Sequence, residues 1–164
     1  MKPRVGVSAC LLGWPVRYDG QSKSHAWIRD VLAGQVELVP LCPEMGAGLP
    51  VPRPPVRLVR LDSGVHALGV EDPGRDVTVS IEQWSRSVRA VIDGLQAVVL
   101  KSRSPSCGLD SVPLHSPDGK ELGRTSGLFA AFLQREYPAL LLVEETDLER
   151  AKARAAFLHA LGLD

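Results

Sequence analysis

Three cysteines carry the first chemical signal in this 164-residue chain: Cys10, Cys42 and Cys107. No Cys-x-x-Cys pair occurs, so the sequence lacks the knuckle of a zinc finger or ribbon. A closed zinc site also needs a fourth ligand. None of His25, His66, His115 and His159 stands at short ligand spacing from a cysteine. Free cysteines are often merely small buried side chains, yet each of these lies in a Gly-, Pro- or Ser-rich stretch rather than on an apolar face. Cys42-Pro43-Glu44 sets a carboxylate two residues from a thiol. Ser102-Arg103-Ser104-Pro105-Ser106-Cys107-Gly108 supplies hydroxyls and a glycine that permits close backbone approach.

The elements that must position these groups follow from composition and periodicity. Hydrophobic residues at 45% and charged residues at 23% are values of a globular protein, not a disordered one. A net charge of zero argues against bulk electrostatic binding of nucleic acid. No apolar run approaches the ~18 residues of a membrane span. The apolar N-terminal run is interrupted by Gly6 and Ser8 and falls short of a signal h-region, so the expected location is cytoplasmic. In that reducing compartment an odd number of cysteines points to metal or catalysis, not a disulfide framework. The length suits a single domain, residues 1–164.

Short apolar strands are expected at Val5–Val7, Val36–Val39 (ended by Pro40), Ala97–Leu100 and Ala139–Val143, with a hairpin over 56–61 and 65–70. A helix capped by Ser24 buries Trp27, Ile28, Val31 and Leu32. Val77, Ile81, Trp84, Val88, Val91 and Leu95 mark one face of a longer helix capped by Asp76 or Thr78. Further helices are expected over 126–136 and after a Thr146–Glu149 capping box. This alternation predicts an α/β fold: a Rossmann-like, mostly parallel sheet flanked by helices. Such sheets bind ligands beyond the carboxyl ends of their strands, and all three cysteines fall shortly after a strand. Three thiolates converging there suit a [4Fe–4S] cluster with one iron free of protein ligands. That iron is a Lewis acid whose sulfur-rich surroundings suit a sulfur ligand.

The sequence resembles the thiouracil desulfidase family. The resemblance rests on Ser8-Ala9-Cys10-Leu11-Leu12-Gly13, Val16-Arg17-Tyr18-Asp19-Gly20, Cys42-Pro43-Glu44, Gly48-Leu49-Pro50-Val51-Pro52-Arg53-Pro54-Pro55, Asp76-Val77-Thr78 and Ser104-Pro105-Ser106-Cys107-Gly108. It implies a Rossmann-like domain that binds an oxygen-sensitive [4Fe–4S] cluster through Cys10, Cys42 and Cys107. It further implies removal of sulfur from a thiolated pyrimidine such as 2-thiouracil, without net redox change, as hydrosulfide. The catalytic carboxylate and serine of the family fall on Glu44 and Ser102. The stretch Val112–Gly119 departs from the family pattern except for its Asp118-Gly119 turn, which bears on substrate identity.

On this reading Glu44 is a general base or proton shuttle and Ser102 positions water or substrate. The plainer alternatives are a loop carboxylate accepting N–H bonds and a strand-end hydroxyl. Arg17, Arg53, Lys101 and Arg103 share the same loops. Arg17, Arg53, Lys101 and Ser104 are the expected contacts to a substrate carbonyl or nucleotide phosphate; for any one cation, solvated surface charge is the alternative. No role is assigned to the histidines, and the tryptophans are expected in packing, with Trp14 alternatively a lid. The expected partner is a small thiolated base or nucleotide, with no nucleic acid or membrane, and the chain is a monomer or weak homodimer. Two other functions compete: a non-catalytic zinc-binding or thiol redox-sensing module, and an accessory binding domain with structural cysteines.

Overall fold

A computed structural model describes residues 1–163. In chain order the strands are β1 (Arg4–Ser8), β2 (Glu37–Leu41), β3 (Val56–Leu61), β4 (Gly64–Gly69), β5 (Ala97–Leu100), β6 (Val112–His115), β7 (Glu121–Thr125) and β8 (Leu141–Glu144). The helices are α1 (Ala26–Asp30), α2 (Pro43–Gly46), α3 (Thr78–Ser87), α4 (Arg89–Asp93), α5 (Leu128–Glu136) and α6 (Ala151–Ala160). Strands β2-β1-β5-β8 form a parallel sheet in that order. Its central strand β5 is buried at all four residues, as a strand covered on both faces must be.

The alternation of side chains across that sheet sorts the core into two layers. Val5, Val7, Ala97 and Val99 pack with Ile28, Leu32, Leu148, Phe157 and Leu161, the side of α1 and α6. Val98 and Leu100 point the other way, onto Ile92, Leu95, Phe129, Phe132 and Leu133 of the α4–α5 side. Gly6 faces this second layer, and a Cβ there would come within 2.9 Å of both Leu41 and Leu95. A glycine is what lets those leucines close over β1.

A second, mixed sheet in the order β4-β3-β6-β7 lies beyond the α3–α5 layer, and Leu58, Ala67, Val112 and Leu114 pack against Val77, Ile81 and Leu128. The sequence reading contains the β3–β4 hairpin but not β6 and β7. Those strands are short, polar or proline-bearing, and their pairing comes from outside: β6 lies parallel to β3, Leu58 opposite Leu114. The tight turn between them does use Asp118-Gly119, with Gly119 at φ 89°.

Several local expectations differ from the structure. Pro40 does not end β2; it sits inside it, opposite Val7, because β2 is an edge strand with no partner on its outer side. His25, not Ser24, caps α1, its Nδ1 accepting from the Ile28 N–H at 3.4 Å. The long amphipathic helix is two helices broken at Val88 (φ −101°, ψ 15°). Its first half seals the second sheet and its second half the parallel sheet. Asp76 accepts from the Thr78 N–H at 2.9 Å, while the Thr78 hydroxyl accepts from Ala67 N–H at 2.9 Å. Thr146–Glu149 makes no capping box: Asp147–Glu149 is a 3₁₀ turn, and α6 starts at Ala151 without a side-chain cap. No helix among the described residues is long and apolar enough to cross a membrane.

Candidate active site

Strand order alone brings the cysteines together. Strand β1 lies between β2 and β5, and the chain leaves all three at the same carboxyl edge. Cys10 sits in the 3₁₀ turn Ala9–Leu12 directly after β1. That turn closes on Gly13 at φ 93°, and the Cys10 carbonyl accepts from the Gly13 and Lys23 N–H groups. Cys42, extended at φ −140°, precedes α2, whose first residue is Pro43. The backbone N–H groups of Met45 and Glu44 favour its thiolate form. Cys107 ends a serine-built turn in which Ser104 Oγ accepts from the N–H of Cys107 at 3.1 Å and of Ser106 at 3.3 Å. The loop carbonyls of Pro105 and Ser106 then accept from the first N–H groups of α5, so loop and helix form one unit.

All three thiols line one cavity of about 350 Å³, at the small end of the range for small-molecule sites. Glu44, Ser102, Arg17, Arg53, Lys101 and Ser104 line it as well, so every site residue expected from the sequence is on its wall. Arg103 is there too, in the left-handed region at φ 63°. Trp14 is half exposed and not part of the lining; Trp27 and Trp84 pack against the core.

Burial raises all three thiols. Cys10 is pushed up to about 11, with Lys101 and Arg17 pulling back and Cys42 and Glu145 adding to the rise. Burial lifts Cys107 to about 12; hydrogen bonds from Ser8 and Ser106 lower it, and Cys42 and Cys10 raise it. Cys42 is raised chiefly by burial, against the pull of the Met45 N–H. Such thiols are poor nucleophiles and poor redox sensors. They ionise when metal binding displaces their protons to solvent. Among the described residues no group of three His, Cys, Asp or Glu side chains is gathered as a single metal ion requires. Three soft donors spread around one cavity, without an imidazole in its wall, fit a polynuclear cluster.

Glu44 is held on both oxygens. Oε1 accepts from Arg53 Nε at 3.0 Å, and Oε2 accepts from Ser106 Oγ at 3.1 Å. Its partners are therefore side chains, not the loop N–H groups of the plainer alternative. Lys101 Nζ donates to Ser102 Oγ at 3.2 Å and to the Ser102 carbonyl at 2.8 Å. The backbone behind them is anchored by the buried Glu145, which accepts from the Ser102 N–H at 2.8 Å, and by Ser8 Oγ, which accepts from the Lys101 N–H at 2.9 Å. Arg17 lies 3.8 Å from Asp19 and stacks over Tyr18.

Sequence reasoning counted Ser106 among the loop hydroxyls without giving it a partner, and it missed Ser8 and Glu145 as parts of this site. Ser106 and Ser8 stand in the quoted motifs, next to a cysteine and two before one, which was the available signal. Glu145 directly follows β8, the strand beside β5, but nothing in the local sequence distinguishes it from a surface acid.

The fold and the site together define an α/β protein that gathers three cysteine thiols and a clamped carboxylate at the carboxyl edge of a parallel sheet. The chain belongs to the 2-thiouracil desulfurase family, whose model matches residues 5–145, from β1 to the residue after β8. It is similar to the solved structure of a [4Fe-4S]-dependent thiouracil desulfidase, TudS, at 31% identity and a TM-score of 0.72, covering 95% of this chain and 99% of that one. It is also 32% identical over 136 residues to the uncharacterized protein YbbK of Bacillus subtilis (strain 168), covering 79% of this chain and 88% of that protein.

Proposed function

We propose that this protein is a [4Fe–4S]-dependent desulfidase that converts a thiolated pyrimidine of the 2-thiouracil kind to its oxo form. One water is consumed, the C=S bond becomes C=O, and sulfur leaves as hydrosulfide, with no electron donor or acceptor needed. The observation that carries this reading is the common wall shared by Cys10, Cys42, Cys107 and Glu44.

Cys10, Cys42 and Cys107 would hold the cluster. When bound, it supplies an open iron that acts as a Lewis acid toward a soft sulfur ligand. Glu44 takes the proton of the attacking water on Oε2, the oxygen not paired with Arg53. Ser102, fixed by Lys101 and Glu145, presents its hydroxyl to the water or to the exocyclic oxo group. Arg17, Lys101 and Ser104 offer donors to the oxo group of the pyrimidine, or to a nucleotide phosphate at the mouth. Arg53 has its guanidinium committed to protein acceptors, so its contribution passes through Glu44. The buried thiols and serine loop exclude bulk water, which strengthens each of these polar contacts. A site resting on three free thiols suits a reducing compartment, and we place the protein in the cytoplasm.

The test is anaerobic purification or reconstitution, iron and acid-labile sulfide per chain, and sulfide release from 2-thiouracil. Near-stoichiometric cluster with release of sulfide is the expected result. Zinc in place of iron, with no turnover, would establish the non-catalytic zinc or thiol-sensing module instead. Comparing thiouracil with thiouridine monophosphate decides whether the cations at the mouth serve a phosphate.

A further inference from the structure

We infer that Arg53 is a positioning residue for Glu44, clamping the carboxylate from behind while Ser106 holds it from the side, and is not a cation offered to the substrate. This rests on the reading of Glu44 as the proton acceptor. Arg53 is buried, its side chain only 4% exposed. Its three nitrogens each have a protein acceptor: Nε donates to Glu44 Oε1 at 3.0 Å, Nη1 to the Pro50 carbonyl at 3.1 Å, and Nη2 to the Val16 carbonyl at 3.0 Å. Its backbone N–H donates to the Tyr18 carbonyl at 2.7 Å. Each nitrogen is thus held by the protein, so the guanidinium is not free to turn toward a ligand.

The three acceptors come from three segments: the loop after Cys10, the short helix after Cys42, and the proline-rich run that carries Arg53 itself. One guanidinium therefore ties the first two cysteine loops to each other and sets the carboxylate between them. The carboxylate has one oxygen consumed by this pair. The other, Oε2, is oriented by the Ser106 hydroxyl, which also stands 3.9 Å from Cys107 Sγ and 3.2 Å from Ser104 Oγ. Glu44 thus enters the reaction in a single orientation. Holding a proton acceptor in place lowers the barrier without changing substrate affinity. A lysine at position 53 would keep the charge but supply one nitrogen where three acceptors wait.

The test compares wild type, R53K, E44Q and the double variant, after anaerobic reconstitution. R53K is expected to bind iron and acid-labile sulfide as wild type does and to keep its KM for 2-thiouracil. Its kcat is expected to fall by about tenfold or more, with little further loss when added to E44Q. A raised KM with unchanged kcat would make Arg53 a substrate contact and overturn the inference, as would losses that multiply in the double variant. Amide hydrogen exchange of the cluster-free chain gives an independent readout. The Gly46 and Ala47 amides, bonded to the Cys42 and Pro43 carbonyls, are expected to exchange faster in R53K. Unchanged exchange would mean that Arg53 does not hold this segment. If R53K fails to fold, E44Q tests the same link from the other side, through faster exchange around residues 50–53. If wild type holds the cluster but releases no sulfide, the desulfidase reading fails, while the exchange result still decides whether Arg53 holds Glu44.

Discussion

The three cysteines differ in burial and in what holds them, but each lies on the same cavity wall. Losing any one leaves two thiols, so each Cys→Ser variant is expected to lose most bound iron and acid-labile sulfide. Iron retained at wild-type level by any variant would remove that cysteine from the ligand set. E44Q should keep the cluster while kcat falls by about 10²–10⁴-fold, the usual cost of removing a general base; single-turnover release of sulfide measures it. The residue types were legible because each chemical group lies beside a cysteine. Their bonding was not. Glu44 and Ser106 are 62 positions apart, Ser102 and Glu145 43, and no local pattern couples such pairs. Arg53 is the clearest case. In sequence it is one of four cations in polar loops, whereas in the fold its charge is neutralised inside the protein.

The loop carrying Cys107 is built onto the start of α5. Gly127 sits so close that a Cβ there would lie 2.5 Å from the Ser106 carbonyl carbon and 2.8 Å from the Cys107 nitrogen. G127A must therefore push loop and helix apart. Expected costs are about 1–3 kcal/mol of stability and a lower cluster occupancy after reconstitution, read by chemical denaturation and iron content. At the other end of the second sheet, the β3–β4 hairpin is tied to the start of α3. His66 Nδ1 bonds Asp76 Oδ2 at 2.7 Å, and Ser63 Oγ bonds His66 Nε2 at 2.7 Å. Burial works to raise the Asp76 carboxyl, but hydrogen bonds from Thr78 and His66 outweigh it and hold the group below its ordinary value. A carboxyl lowered in the folded state contributes stability above its unfolded value, ~3.9, and loses it as pH falls through the folded value. Thermal midpoints between about pH 5 and pH 2 should thus fall less steeply in D76N than in wild type. Asp118 and Glu136, lowered in the same way, leave part of the slope in place. The helix over 77–95 was legible from its period but its break at Val88 was not, since only the two sheets it serves require the bend.

Across the whole molecule, the α3–α5 layer is shared between two sheets. Phe129 is fully buried, 5.1 Å from the Trp84 ring and 6.4 Å from Phe132, while its neighbour Leu128 faces the second sheet. F129A opens this layer where no side chain can fill it. It is expected to cost about 3–5 kcal/mol and to lower the thermal midpoint by roughly 10 °C. A shift of only a degree or two would mean that the layer repacks freely. Because the same helix carries the Cys107 loop, cluster retention after heating should fall in parallel.

Periodicity and punctuation are local properties, and they suffice for the parallel α/β class, the β3–β4 hairpin and the strand ends that present Cys10, Cys42 and Cys107. Side-chain chemistry within a few residues of each cysteine suffices to mark Glu44 and the serine loop. The second sheet, the bend at Val88 and the pairing of Arg53 with Glu44 follow from contacts between segments remote in sequence. Strands β6 and β7 have too little apolar pattern to declare themselves, and a guanidinium chooses its acceptors only after the chain has closed around it. Burial settles the remainder: the same folding that draws three thiols to one sheet edge strips them of water and favours their protonated form until metal binding displaces the protons to solvent.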